Sequence, residues 1–296
     1  MSVWTSAARI SRAATVVGRG KARRAGGARL PVVLAATWLA LVVLAAVVVD
    51  WLPLPHYDIP VGPPRQPPGA DAVYLLGTDE FGRSQLVRLM VGARVSLAVS
   101  VGAVLLSITA GCVLGLIAGF YVRAAKVIDL VLDAALAVPG LVLLLAMTAV
   151  LGPDLWTLGL GLAIISVPPF ARLARAITLS YADREFVVAS KVLGARSVRT
   201  LFREILPNLV LPVGSYAFVV VAWLMVTEGS LSFLGLGVPP PNPSWGGSIA
   251  SGQGYLATDP QLVFLPAAVL LATIFAFNVI GDHFQGRFGL GRPTDT

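Results

Sequence analysis

The sequence predicts an all-α membrane protein with six transmembrane helices and both termini in the cytoplasm. Three observations predict it. Of 296 residues, 56% are hydrophobic and only 12% are charged, whereas soluble domains carry about 25% charged residues. Six apolar stretches recur along the chain, each of a length that crosses ~30 Å of hydrocarbon at ~1.5 Å per residue. The basic residues are also asymmetric: with the N-terminus inside, eighteen fall in inner segments and four (Arg65, Arg83, Arg88, Arg94) in outer ones. That is the pattern of the positive-inside rule.

The elements follow in order. Residues 1–29 form a basic cytoplasmic tail in which seven basic residues precede the first acid, Asp50, and this tail accounts for the whole net charge of +7. A tail retained beside a lipid bilayer explains the excess without a nucleic-acid partner. Residues 30–50 are the first transmembrane helix, longer than the ~7–15-residue core of a signal peptide. Residues 51–94 form an external loop. Pro53, Pro55, Pro60, Pro63, Pro64, Pro67 and Pro68 exclude helix and central strand there, and a short surface helix is expected over 81–90.

Residues 95–282 are a five-helix core, followed by a cytoplasmic tail, 283–296. The core spans are expected at Val95–Tyr121, Val127–Leu151, Leu155–Ala176, Leu209–Val226 and Leu262–Ile280. Gly111, Gly115 and Gly119 in the first of them have the small-xxx-small spacing that lets helices approach closely in lipid. Pro168-Pro169 predicts a kink in the third. An external loop, 229–261, is rich in Gly and Pro, and its Trp245 and Tyr255 suit a membrane interface.

The cytoplasmic loop 181–208 is too charged for lipid and too apolar for an idle linker. It reads as helix, turn, helix. Asp183 is an N-cap, Phe186, Ala189 and Leu193 repeat at helical spacing, and Gly194 ends the first helix in a left-handed cap. Ser197 caps the second helix, where Leu201 and Ile205 share a face. Pro207 stops it, and Asn208 caps or hinges the junction with the next span. Arg196, Arg199 and Arg203 make a basic stripe.

The spacing Glu185, Ala189, Gly194, Ile205, Pro207 resembles the Glu-x-x-x-Ala-Ala-x-x-x-Gly loop, with its following Ile-Leu-Pro, of ABC-importer inner-membrane permeases. Ser190 stands where that family has its second alanine. Further segments resemble the second-permease type of the dipeptide/oligopeptide/nickel subgroup: Leu76-Gly-Thr-Asp-Glu-Phe-Gly-Arg83, Val91-Gly-Ala-Arg-Val-Ser96, Ser230-Leu-Ser-Phe-Leu-Gly-Leu-Gly237, Pro243-Ser-Trp-Gly246 and Ala276-Phe-Asn-Val-Ile-Gly-Asp282. Ser84 replaces the family's aspartate after Gly-Arg.

The resemblance implies a type I ABC importer permease fold and a non-catalytic subunit that carries short peptides or a similar solute. It implies that Glu185, Ala189, Ser190, Gly194, Ile205 and Pro207 couple the chain to ATPase subunits, with Arg196, Arg199 and Arg203 as a basic face toward them. The implied partners are a second homologous permease, two ATPase subunits holding ATP and Mg, and an extracytoplasmic substrate-binding protein. No cofactor or metal is expected on this chain. The sequence itself lacks Gly-x-x-x-x-Gly-Lys-[Ser/Thr], so nucleotide chemistry is expected elsewhere.

Charges in or near spans are the remaining candidates, because hydrocarbon disfavours them. Asp129 and Asp133 lie one turn apart and are expected either to pair with Arg172 and Arg175 or to serve the pathway or its gate. Glu228, at the outer end of the fifth span, is expected at the external mouth or at a solvated helix end. A second reading makes Asp129, Asp133 and Glu228 the ion-handling groups of a secondary carrier acting without an ATPase. A third, a membrane-embedded enzyme, lacks any nucleophile–base or metal-ligand spacing in the sequence.

Overall fold

The computed structural model describes residues 29–71 and 74–287. The basic tail before residue 29 and the end of the C-terminal tail lie outside the described residues. Those described form helices α1 (Arg29–Val48), α2 (Gln85–Phe120), α3 (Val122–Ala137), α4 (Gly140–Leu151), α5 (Leu155–Ala182), α6 (Glu185–Val192), α7 (Ser197–Thr200), α8 (Leu206–Phe233), α9 (Trp245–Gly252) and α10 (Gln261–Arg287). Only isolated β-bridges occur among the described residues.

Five helical stretches are long and apolar enough to cross a membrane: α1 with its 3-10 extension to Trp51, α2, α5, the stretch Ser197–Phe233, and α10. The remaining expected span, Val127–Leu151, is built from two helices, α3 and α4, bent by 82°, and makes the sixth where the pair counts as one broken span. Pro139 explains the break. It lacks an N–H and pushes the residue before it out of the helical region, and Val138 is extended at φ −88°, ψ 123°.

Two other boundaries differ from expectation. No separate helix covers 81–90; residues up to Ser84 turn, and α2 then runs unbroken from Gln85 for 36 residues. Pro207 does not stop a helix. It lies in the first turn of α8, where a missing N–H is tolerated, and Leu201–Ile205 form π-helical turns that carry the chain from α7 into α8. Asn208 sits at this junction as expected, its side chain donating to the Glu204 carbonyl at 2.6 Å. Pro168 and Pro169 lie inside α5, which continues through them.

The core is built on α2 against α5. The glycine stripe is the contact: a Cβ at Gly111 would stand 2.6 Å from Phe170 Cβ, one at Gly115 2.5 Å from the Ala171 carbonyl, and one at Gly119 2.5 Å from Thr178 Cβ. With no hydrophobic drive between helices in lipid, such close backbone approach supplies the dispersion contacts that hold them together. Around this pair, α8 packs on α10, and α1 packs on both α10 and α2. Trp38 of α1 donates to Thr273 of α10 at 3.0 Å.

The Pro-rich loop is tied to the start of α2 by Asp79. Its carboxylate accepts the backbone N–H groups of Phe81 and Arg83 at 2.9 Å and pairs with Arg83 at 2.6 Å and Arg88 at 3.2 Å. This local knot gives the segment Leu76–Arg83 its shape. Ser84, which departs from the family pattern, is the buried N-cap residue of α2 and makes no side-chain capping bond.

Candidate functional site

The segment between α5 and α8 is a short two-helix elbow. Asp183 is not the N-cap of α6; it closes α5, and Arg184 takes the N-cap position without a side-chain bond. Ser197 is the first residue of α7, not its cap. The turn after α6 is fixed by Gly194, at φ +81°. The Ala195 N–H bonds the Ser190 carbonyl and the Gly194 N–H bonds the Lys191 carbonyl, each at 3.0 Å. These are the two bonds of a Schellman cap. Ser190 enters it only through its backbone, so serine in place of alanine leaves the turn intact.

The elbow has an inner and an outer face, and sequence spacing misassigned them. Val187 is fully buried, and one turn on, Lys191 lays its ammonium 4.8 Å from the Phe120 ring and donates to the Ala182 carbonyl at 3.3 Å. Leu201 and Ile205 are buried from the other side. Phe186, Val188, Val192 and Leu193 are exposed, Val192 and Leu193 at 81% and 88%. A shallow depression at this outer face is lined by Asp183, Glu185, Val188, Ala189, Val192 and Leu193. Glu185 opens α6 and, among the described residues, forms no ion pair. Arg196, Arg199, Arg203 and Pro207 are also exposed.

The sequence pointed to Phe186, Ala189 and Leu193 as one face; the buried residue is Val187. The missed signal was its i,i+4 partner Lys191, whose long stem can lie along apolar surface while its charge reaches a carbonyl.

A second constellation joins α3 to α5. Arg175 pairs with Asp129 and Arg172 with Asp133, each at 2.6 Å, forming a two-rung ladder. The lower rung is about one-third exposed; Arg172 and Asp133 are 56% and 65% exposed. Arg172 borders a cavity of about 500 Å³ between α3, α5 and α8, with Tyr216 and Trp223 on the α8 wall.

Glu228 is neither at a solvated helix end nor at an open mouth. It is fully buried. Ser232 and Ser96 donate to its carboxylate at 3.1 and 3.4 Å, and the Ser244 hydroxyl bonds it too. Ser244 is the N-cap of α9, and the Trp245 N–H bonds Ser96 at 3.2 Å. Trp245 is fully buried, against the interface position expected of it, with its indole N–H on the Leu89 carbonyl at 3.0 Å. Glu228 thus clamps α9 to α8 and α2. Glu228→Ala, which strands these serine hydroxyls, is expected to destabilise the chain by about 1–3 kcal/mol, while Glu228→Gln keeps an acceptor and most of the stability. Thermal unfolding in detergent measures the difference.

The structure therefore offers an exposed apolar elbow, paired acids on α3 and a short helix, α9, clamped to α8 and α2. Among the described residues no group of acids, His and Cys is placed to hold a metal.

Comparison with known proteins agrees with this arrangement. Residues 111–289 match the family model "Binding-protein-dependent transport system inner membrane component". The chain is 38% identical over 254 residues to the di/tripeptide transport system permease protein DppC of Pseudomonas aeruginosa, covering 84% of each chain. It is 36% identical to the oligopeptide transport system permease protein OppC of Bacillus subtilis, covering 74% of this chain and 72% of the relative. To the glutathione transport system permease protein GsiD of Pectobacterium atrosepticum it is 34% identical, covering 73% and 72%. Among solved structures, the MetNI methionine ABC transporter in an inward-facing conformation superposes with a TM-score of 0.57 at 16% identity, covering 68% of this chain and 95% of that one. That likeness bears on the fold. None of these matches favours the ion-coupled carrier, and Asp129 and Asp133 are already paired with arginines. A multi-pass inner-membrane protein built this way belongs to the binding-protein-dependent ABC transport permeases.

Proposed function

We propose that this chain is one of two permease subunits of an ATP-driven importer of short peptides. It pairs with a second homologous permease, receives substrate from an extracytoplasmic binding protein and is driven by two ATPase subunits that hold ATP and Mg. The chain itself is non-catalytic. The relatives are named for di/tripeptides, oligopeptides and glutathione, which share peptide bonds and free charged ends, and that chemistry is the substrate class proposed here.

The observation that carries the reading is the outer face of α6. Val188, Val192 and Leu193 are exposed on a helix pinned from behind by Val187 and closed by a left-handed turn. Burying each such side chain against a partner is worth ~1.5–3 kcal/mol. Ile205 and Pro207 stand where the elbow joins α8, so force applied to α6 enters a helix that reaches the far end of the bundle. Glu185, Ala189, Ser190 and Gly194 shape the docking surface. Arg196, Arg199 and Arg203 add attraction for an acidic partner surface. In this reading the elbow and both termini are cytoplasmic, residues 51–94 and the segment around α9 are external, and the α3–α5 ladder with Asp129 and Asp133 belongs to the pathway wall.

The test has two parts. Leu193→Cys is expected to react with an impermeant maleimide only from the cytoplasmic side, and labelling from outside the cell would end the proposal. Leu193→Asp is expected to lower retention of the ATPase subunits on the purified permease by about tenfold or more, since one buried leucine is worth at least ~1.5 kcal/mol. Undiminished co-purification would remove the elbow as the docking element.

A further inference from the structure

The cavity beside the upper rung of the ladder has polar features that the wall of a pore does not require. Its volume of about 500 Å³ falls in the ~300–1,000 Å³ range of small-molecule sites. Its lining is mostly apolar or aromatic, with Ser166 polar and a single charged side chain, Arg172. Of that guanidinium's five N–H donors, one is engaged, by a single contact from Nη2 to one oxygen of Asp133, and the side chain stays 56% exposed. A bidentate structural pair would use the fork of both partners; this one leaves donors available.

The opposite end of the cavity lies beside the paired prolines of α5. Residues 168 and 169 are prolines inside α5. The carbonyls of Ile164 and Ile165 therefore have no i+4 N–H to bond, and Ile165 lines the cavity together with Ser166 and Pro169. Ile165 and Arg172 are seven residues apart, on one face of α5, and about 10 Å apart along its axis. An extended tripeptide spans about 10 Å and a dipeptide about 7 Å. Between the two ends lie the rings of Tyr216 and Trp223 on α8, two turns apart, which accept side chains of varied shape.

Resting on the permease reading above, we propose that this cavity is a membrane-level subsite for the two ends of a short peptide, with Arg172 taking the terminal carboxylate and the proline-freed Ile165 carbonyl taking the terminal ammonium. Asp133 holds the guanidinium in place when no peptide is present, and the peptide carboxylate replaces it. Selection by the ends alone leaves the side chains free to vary, which suits a carrier of many sequences.

The experiment uses the assembled transporter in nanodiscs, without binding protein, on a Cys112→Ala background. A cysteine is placed at Val219 in the cavity wall, or at Tyr216 if Val219→Cys fails to assemble. Its reaction rate with a small water-soluble maleimide is measured with trialanine, trialanine amide or N-acetyl trialanine. Trialanine is expected to slow labelling about fivefold or more, the amide and the acetylated peptide much less, and Arg172→Gln to abolish the protection. Equal protection by all three peptides, or none by any, overturns the proposal, as does a cysteine blocked by lipid before peptide is added.

Uptake assays separate a binding role from a latch. In the complete system with binding protein, Arg172→Gln is expected to reduce trialanine uptake about tenfold or more, the worth of one charge-assisted contact. Arg172→Lys is expected to restore part of it. The exchanged pair Asp133→Arg with Arg172→Asp restores an ion pair but not the site, and is expected to stay defective; rescue by exchange overturns the proposal. If the unaltered complex shows no ATP-dependent peptide uptake, the permease reading itself fails; if it transports and Arg172→Gln matches it, only this subsite does.

Discussion

Gly115→Val is expected to prevent accumulation of the folded chain, whereas Gly102→Ala in the same helix is expected to accumulate at or slightly above the unaltered level. Both glycines lie in α2. A Cβ at Gly115 would stand 2.5 Å from the Ala171 carbonyl oxygen, 2.6 Å from Ala174 Cβ and 2.8 Å from the Arg175 backbone nitrogen. Two of those three atoms are backbone and cannot rotate away. A Cβ at Gly102 would meet nothing within 4 Å, and alanine favours helix over glycine by about 0.5–1 kcal/mol.

Overpacking a helix contact costs about 1–3 kcal/mol when side chains can yield; here α5 must shift bodily, and the neighbouring contacts at Gly111 and Gly119 are lost with it. Because α2 and α5 form the most extensive helix pair of the bundle, no other interface compensates. Membrane-fraction abundance and the thermal midpoint of the solubilised chain measure the effect. Normal amounts of Gly115→Val would mean that α2 and α5 are held apart in the membrane by more than this geometry allows.

That contact was legible in the sequence, because small residues four apart in an apolar stretch have one strong physical reading. So was the existence of the spans, which depends on composition over twenty or so residues. The broken span was not: Pro139 sits in an apolar run no different in hydropathy from its neighbours, and only the extended Val138 reveals that α3 and α4 diverge by 82°. Conversely, Pro207 promised a stop and gave none, since it falls in the first turn of α8, where a missing N–H is tolerated.

The charged positions divide in the same way. Asp129 and Asp133 are expected to pair with Arg172 and Arg175 or to serve the pathway or its gate, and the pairing is present, each contact at 2.6 Å. Glu228 is expected at the external mouth or at a solvated helix end because its own stretch offers it only Ser232, four residues on, and no opposite charge. Its partners Ser96 and Ser244 arrive from 132 residues before it and from a separate helix after it, and local periodicity carries no trace of either. On the elbow, Gly194 marked the turn that closes α6, but burial of Val187 and Ile205 and exposure of Val192 depend on how the elbow packs on the bundle, with Lys191 lying over Phe120.

Replacing Gly194 should separate the two reasons a glycine can be required there. A Cβ at this position meets nothing within 4 Å, yet the backbone stands at φ +81°. A residue with a Cβ pays about 1–2 kcal/mol in that conformation, with asparagine the most tolerant. If backbone conformation is the requirement, Gly194→Asn keeps most of the coupled uptake, Gly194→Ala loses part, and Gly194→Val falls about tenfold, because 1.4 kcal/mol is a factor of ten in the population of the closed turn. On the proposed reading, in which the turn transmits work done by ATPase subunits, ATP hydrolysis is expected to persist in the valine variant while transport falls. If instead the glycine is needed so that an ATPase surface can approach the backbone, the ranking follows size: alanine outperforms asparagine, and Gly194→Trp abolishes coupling outright. The Schellman bonds at Ser190 and Lys191 favour the first ranking, because they exist before any partner arrives. Peptide uptake and ATP turnover measured together across the series decide between them.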